Sequence, residues 1–548
     1  MGTGSDATCA GSTGAGSTGG HSAGGSVFER NATVANLVEH IYHQDPGQVA
    51  IESEEGHTWT IGDLRAEANR IVNALRGQGL APSDRVMYIG RNLPEFIALD
   101  CGLATAGLVK VPVNFRLSPE EIDQIVSLTD PRAVIADHEC ASALADSAWS
   151  GDTVRICINR TAEETPRGWG DYDAVVGRAD SVASMASVRG SDLYQIRLTS
   201  GSTGHPKGVL TSHFAAREAI LGNLWVLGRE LGRRAPRNLV VMPVTMQTGW
   251  TLLPTLMLGG TNVIRSRYAA DRLIADIVSS DITTVNLVPT ILRDLAQCDG
   301  LEELATGALE AIVYAGEPAP LEAVATLWEH TRTLVQTYGQ TEAPSWTTWL
   351  SSEDHADLEL RRTVGRATPH NAWAVLDEGG APVAQSGVTG ELAIRGGSIT
   401  VGLLGAEDEH RERLAGGVWW RTGDVGHIDE RGYITVVQRK KEMIISGGSN
   451  IYPGEIENVL LQHPGVQEAA VFGVPDPRWG ERPIAVVYGR ALADRDVEAL
   501  GEWLQGRLAR YKIPGTIRRS AGPLPRQGAD GKVARVRLRA AYLEDDRR

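Results

Sequence analysis

Apolar residues recur at helical spacing at Leu64, Ala68, Ile71, Val72 and Leu75 and stop near Gly77 and Gly79. That period predicts an amphipathic helix ended by glycines. Arg85–Ile89 follows as a short strand-like run, and similar runs recur in VKVPVN, AVIAD, NLVVMPV, TTVNLVP and AIVYAG, separated by helical stretches. Continuously apolar short strands alternating with helices predict an α/β fold of doubly wound parallel sheets covered on both faces. No repeat of fixed period interrupts the pattern. Residues 1–26 are mostly Gly, Ser, Thr and Ala. They carry too little apolar surface to offset chain entropy and read as a disordered tail. The texture changes again near residue 440: Gly432–Val437 reads as a strand, charged QRKKE follows, and a compact α+β pattern of about a hundred residues fills the rest. The expected organisation is a tail at 1–26, a large domain at 27–440 and a smaller one at 441–548.

Composition narrows the class. The 548 residues are 42% hydrophobic and 22% charged, ordinary for a globular protein, and the length corresponds to roughly three or four domains at about 150 residues each. A net charge of −15 argues against a nucleic-acid binder. The most apolar stretch, GWTLLPTLMLGG, is too short to span a bilayer. No basic segment followed by an apolar one opens the chain. The cysteines (Cys9, Cys101, Cys140, Cys157, Cys298) are odd in number and never form a CxxC pair, which disfavours a disulfide framework or zinc ribbon and fits a reducing cytoplasm.

The densest chemistry lies in RLTSGSTGHPKGVL, Arg197 to Leu210. Small residues allow backbone N–H groups to approach phosphate oxygens, hydroxyls add donors, and Lys207 supplies a compact positive charge. The loop is not a Walker A motif, because Pro206 stands where the second glycine belongs. Phosphate binding explains this composition better than a flexible surface loop.

TSGSTGHPKG resembles the signature loop of the adenylate-forming superfamily, which includes acyl-CoA synthetases, adenylation domains of peptide synthetases and luciferases. The further motifs of that superfamily recur in order: YAGEP (Tyr314–Pro318), YGQTEA (Tyr338–Ala343), RTGDVGHID (Arg421–Asp429), QRKKEMIISGGSNIYPGEIE (Gln438–Glu457) and PRQGADGK (Pro525–Lys532). The resemblance spans about residues 27 to 543. It implies a large domain of doubly wound sheets plus a small β-barrel, then a mobile C-terminal lid. It implies that Thr199, Ser200, Gly201, Ser202, Thr203 and Lys207 hold the β- and γ-phosphates of ATP. Gly316, Glu317, Pro318, Tyr338, Gly339 and Gln340 would surround adenine, with Tyr338 stacked on it. Thr341 would meet the α-phosphate, Glu342 would ligate Mg²⁺, and Asp424 with Arg439 would hold the ribose of ATP or AMP. Lys441 would be the hinge, and Lys532 would bridge carboxylate and phosphate. Gly447, Gly448 and Trp479 would border the tunnel for coenzyme A, and Met246, Gln247, Trp250 and Tyr314 would line the acyl pocket.

The resemblance implies an ATP-dependent, AMP-forming ligase joining a carboxylic acid to CoA. Activation is needed because a carboxylate offers only oxide as leaving group. Attack on the α-phosphate gathers negative charge, which cations and N–H donors stabilise. Two departures qualify this. The terminal lysine loop is one residue longer than the family spacing, and Asp530 lies beside Lys532. An alternative reading follows: thioester formation from an adenylate made elsewhere. In PVTMQTGW, Thr245 and Met246 replace an aromatic and a histidine, which points to a bulky apolar, aryl or alicyclic acid; without an aspartate there to bind an α-ammonium, an amino acid is disfavoured. Between 505 and 540 there are ten Lys/Arg and one acidic residue, Asp530, an excess suited equally to a polyanionic ligand and to a solvated face. Transfer to a separate carrier protein and a nucleotide-binding module without catalysis are further alternatives, and the assembly stays open between monomer and homodimer.

Overall fold

The computed structural model describes residues 32–545, apart from 150, 162, 183–184, 201–205, 233, 246–248, 317–319, 447–448, 491, 506 and 528–531. The expectations for the 1–26 tail and for Gly201, Ser202, Thr203, Met246, Gln247, Glu317, Pro318, Gly447 and Gly448 lie outside the described residues.

Two large sheets dominate. One runs, edge to edge, Arg366–Ala367, Ala343–Leu350, Leu334–Gln340, Ala311–Tyr314, Thr284–Leu287, Arg237–Val240, Thr261–Ile264, Val49–Glu52 and Thr58–Thr60. The other runs Gly402–Leu404, Pro206–Ser212, Leu193–Ser200, Val109–Val113, Arg85–Ile89, Ala133–Asp137, Val154–Ile158 and Gly170–Asp171. Their interiors are parallel, as the apolar runs predict. Antiparallel strands enter toward one edge of the second sheet and at both ends of the first.

A central core joins both sheets through the helices Val34–Tyr42, Ile61–Gly77, Pro94–Ala106, His213–Glu230 and Gly249–Met257. Leu64, Ala68, Ile71, Val72 and Leu75 all face it, as their spacing requires. Thr60 and Asp63 start that helix with a reciprocal capping box. Separate cores cover the outer faces of the two sheets, completing alternating helix and sheet layers.

A third sheet stands where the small barrel is expected. Asn371–Leu376, Gly390–Gly396 and Trp419–Ile428 pair antiparallel in sequence, and Leu414–Ala415 and Ile434–Arg439 both add to Trp419–Ile428. No pairing among the described residues closes these strands into a ring. The C-terminal region has its own core around Ile444, Ile456, Val471, Ala485 and Leu500, under a sheet built on the long hairpin Glu468–Asp476/Gly480–Tyr488.

Many cations of the basic C-terminal stretch are occupied within that region. Lys512 pairs with Glu455, Arg526 with Glu468, Arg535 with Glu457 and Arg518 with Asp545. The charge excess is thus spent partly on local structure.

Candidate active site

The Ser/Thr/Gly loop is the tip of an antiparallel hairpin. Leu193–Ser200 pairs with Pro206–Ser212 in a register that sets Thr199 opposite Lys207 and Ser200 opposite Pro206. Ile196, Leu198 and Leu210 pack on the outer core, which fixes both legs. Lys207 donates to Glu409 of the short helix Glu407–Arg413. Thr199 and Lys207 are therefore brought together at the base of the loop.

Thr341 and Glu342 form the two-residue connection between Leu334–Gln340 and Ala343–Leu350, where Gln340 pairs with Ala343. The Glu342 carbonyl accepts from the Thr400 N–H at 2.7 Å, and its carboxylate takes a 2.8 Å ion pair from Arg413. Arg413 also donates to the Arg421 and Thr422 carbonyls, both at 3.1 Å, and lies 4.3 Å over the Trp420 ring. Sequence reasoning missed Glu409 and Arg413. Their only signal was a mixed-charge run, EDEHRER, which reads as a solvated face.

Asp424 is the most enclosed acid of the set, only 3% exposed. It sits on Trp419–Ile428 opposite Arg439, which reaches its carboxylate at 2.8 Å. The Tyr338 hydroxyl donates to the other carboxylate oxygen, and Gln340 Nε2 reaches that oxygen at 3.1 Å and the Tyr338 hydroxyl at 2.8 Å. Burial first, and then the Asp424 charge, push the Tyr338 phenol well above its ordinary pKa. Tyr338 thus remains a neutral donor, with its ring 5.2 Å from Trp373 in an edge-to-face contact. The YGQTE and TGD motifs, far apart in sequence, converge on one carboxylate.

Other candidates divide. Gly316 has φ +102°, a conformation that glycine adopts at little cost. Gly339 lies between Tyr338 and Gln340 on the same strand. Trp250 is buried at the start of Gly249–Met257 in the central core. Tyr314 departs from expectation. It is fully buried in the core outside the first sheet, and its hydroxyl meets His355 Nε2 at 2.9 Å and Gln336 Oε1 at 3.2 Å. The strand ending at Tyr314 points that side chain toward the outer helices. Trp479 is 48% exposed. Its neighbour Gly480 pairs with Ser446. Lys441 lies in the short turn Lys440–Glu442, directly after the strand that carries Arg439. Lys532 pairs with Gln527 in a small hairpin.

The donor set fits a magnesium nucleotide. One carboxylate at a turn, without a cluster of three or more His, Cys, Asp or Glu among the described residues, suits a hard ion that keeps waters and phosphate oxygens as its other ligands. A buried carboxylate ringed by Tyr, Gln and Arg suits a pair of ribose hydroxyls.

Residues 38–404 match the AMP-binding enzyme family, and residues 455–529 match the AMP-binding enzyme C-terminal domain. Among curated proteins, a feruloyl-CoA synthase of an Amycolatopsis species is 33% identical over 89% of this chain and 94% of its own length. The long-chain-fatty-acid–CoA ligase FadD13 of Mycobacterium tuberculosis is 32% identical over 90% of this chain and 95% of its own. Among solved structures, ATP-bound MatB from Rhodopseudomonas palustris superposes with a TM-score of 0.82 at 27% identity, covering 93% of this chain and 99% of that one. The chain belongs to the AMP-binding enzyme family, within the adenylate-forming superfamily, and is an ATP-dependent, AMP-forming ligase. No helix among the described residues is long and apolar enough to cross a membrane.

Proposed function

We propose that this ligase is an acyl-CoA synthetase that converts an aryl, alicyclic or otherwise bulky apolar acid to its CoA thioester through an acyl-adenylate. The observation that carries the reading is the convergence of Tyr338, Gln340 and Arg439 on the buried Asp424 carboxylate, with Gln340 immediately before the Thr341–Glu342 turn. A nucleoside held by its ribose at Asp424 has its phosphates directed toward that turn and the Lys207 hairpin.

In this reading Thr199, Ser200, Gly201, Ser202, Thr203 and Lys207 bind the β- and γ-phosphates, and Thr341 contacts the α-phosphate. Glu342 holds Mg²⁺, which supplies neutralisation of phosphate charge. Lys532 donates to the carboxylate and phosphate oxygens during adenylation. Gly447, Gly448 and Trp479 admit the pantetheine arm once the region after Lys441 has turned. The tail at 1–26, the body at 27–440 and the lid at 441–548 remain the proposed division, with the enzyme acting in the cytoplasm. Arg526–Gln527 and Lys532–Val533 pair antiparallel, which gives Lys532 a place in a short hairpin. That supports adenylation by this chain over use of an adenylate made elsewhere. Relatives that include a feruloyl-CoA synthase support an aryl acid and CoA.

The test is acid-dependent ATP–pyrophosphate exchange with Mg²⁺ over a panel of carboxylic acids without CoA, followed by CoA addition. Exchange followed by thioester is the expected result. Thioester only from supplied acyl-adenylates would assign the second half-reaction alone.

A further inference from the structure

The hairpin that carries Lys532 is too small to hold itself in place. Its strands, Arg526–Gln527 and Lys532–Val533, are two residues each. A hairpin of two such strands is marginally stable at best by itself, so the placement of its legs has to come from contacts outside it. The Ala534 N–H donates to the Pro525 carbonyl at 2.7 Å and closes the base. Leu524 and Ala534, which flank the hairpin, are both buried. Two carboxylates tie this base to the rest of the C-terminal region.

Glu468 holds the entry leg. It is the first residue of Glu468–Asp476, a strand paired with Gly480–Tyr488 along its whole length. One Glu468 oxygen accepts the Leu524 N–H at 2.6 Å, and the other accepts the Arg526 guanidinium at 2.7 Å. Arg526 stands opposite Val533, the residue after Lys532. An ion pair made only for charge would not also take a backbone N–H. A carboxylate that binds the backbone and a side chain of the same leg fixes both its position and its direction, and its bonds are the short, strong kind that a charged acceptor makes.

The exit leg is fixed independently. Arg535 opens the helix Arg535–Asp545, three residues after Lys532. It donates to both oxygens of the buried Glu457 at 2.7 to 3.1 Å, and Glu457 Oε1 also accepts the Val471 N–H at 2.7 Å. Arg535 Nη1 lies 3.6 Å from Glu442 as well, in the turn that holds Lys441. Both anchors thus converge on one strand, which Glu468 begins and Val471 continues. Loss of Glu468 would leave the hairpin hinged on its exit leg, displaced and still folded.

We infer that Glu468 is a positioning residue for adenylation, which fixes the entry leg of the hairpin and so sets where Lys532 is delivered. It touches no substrate and acts through Leu524 and Arg526. This role rests on the reading that places Lys532 in the first half-reaction. The second half-reaction, which the same reading gives to the Gly447–Gly448 segment, does not draw on Glu468.

The test uses the full chain as Glu468→Ala, Glu468→Gln and Arg526→Met, each checked by thermal melt. Acid-dependent ATP–pyrophosphate exchange and thioester formation from a supplied acyl-adenylate with CoA are measured separately. Hydrogen exchange of residues 522–536 is followed by mass spectrometry. In Glu468→Ala the exchange kcat is expected to fall by about 10–100-fold, the scale of a reacting group misplaced by about 1 Å, with KM for MgATP within about twofold of the parent. Glu468→Gln, which keeps the shape and one acceptor, falls less. Thioester formation from the adenylate stays near the parent rate in all three, and amide hydrogens of the segment exchange faster. Adding Arg526→Met to Glu468→Ala costs little more than Glu468→Ala alone, because the two changes break one contact. If Glu468→Ala does not fold, Glu468→Gln and Arg526→Met decide. Parent-rate exchange in the folded variants, equal loss in both half-reactions, or a raised KM for MgATP with kcat intact would overturn the inference. Lys532→Ala, assayed beside them, separates the two failures. Intact exchange in Lys532→Ala removes the lysine reading and the inference with it, whereas lost exchange there beside intact exchange in Glu468→Ala removes the positioning role alone.

Discussion

Arg413 Nη1 lies 2.8 Å from the Glu342 carboxylate, while Glu409, on the same short helix, holds Lys207. One turn of charged helix therefore engages both the proposed metal carboxylate and the proposed phosphate lysine. The two pairs are to be disturbed in opposite senses. Glu409→Gln frees Lys207 for phosphate and is expected to lower KM for MgATP by about 2–5-fold, the scale of a partly exposed ion pair. Arg413→Ala removes the side chain that orients the Glu342 turn and is expected to raise it. Steady-state kinetics in MgATP check both, and movement of the two values in the same direction would discount the arrangement.

Lys532→Ala is expected to reduce acid-dependent ATP–pyrophosphate exchange by about 10²–10³-fold, the loss of one donor aimed at developing charge. Thioester formation from a supplied acyl-adenylate should stay near the parent rate. Assaying each half-reaction alone checks the assignment, and equal loss in both would refute it.

Asp424→Asn keeps the volume and one acceptor but removes the charge that faces Arg439 and receives Tyr338. A charged hydrogen bond contributes about 1.5–3 kcal/mol, so AMP affinity is expected to drop by about 10–100-fold. Calorimetric titration with AMP gives the value directly. An unchanged affinity would place the ribose elsewhere.

Acid sensitivity follows from two buried histidines. Burial pushes His213 and His355 down to about 4 from an ordinary value of 6.5. The unfolded chain then binds more protons than the fold between those values, so stability is complete above about pH 6.5 and declines as pH falls toward 4. Chemical denaturation at pH 7.5, 6 and 5 should show this decline, and His213→Phe, beside Tyr194 at 5.1 Å, should flatten part of it. A profile of unchanged slope in that variant would mean that His213 does not titrate as described.

Much of the fold was legible because burial on both faces writes itself into short apolar runs. Arg85–Ile89 and Ala133–Asp137 occur as strands at the positions their composition predicts. The antiparallel hairpins were not legible, since pairing direction is set by connections and not by the strand's own residues. The side of the sheet that Tyr314 takes was not legible, because a motif gives proximity along the chain but not which side of a strand a side chain leaves. Glu409 and Arg413 were invisible for another reason: their partners stand 202 and 71 residues away, and no local pattern encodes such a pairing.

The Thr199–Lys207 register has an evolutionary consequence. Both legs of that hairpin are anchored in a sheet, so a slip of one leg past the other by a single residue would turn Lys207 to the opposite side of its strand. A substitution on the exposed side of a leg leaves this pairing alone, whereas any change that shifts the legs reverses the lysine. Descendants of this chain are free to vary what decorates the legs but not how the legs pair.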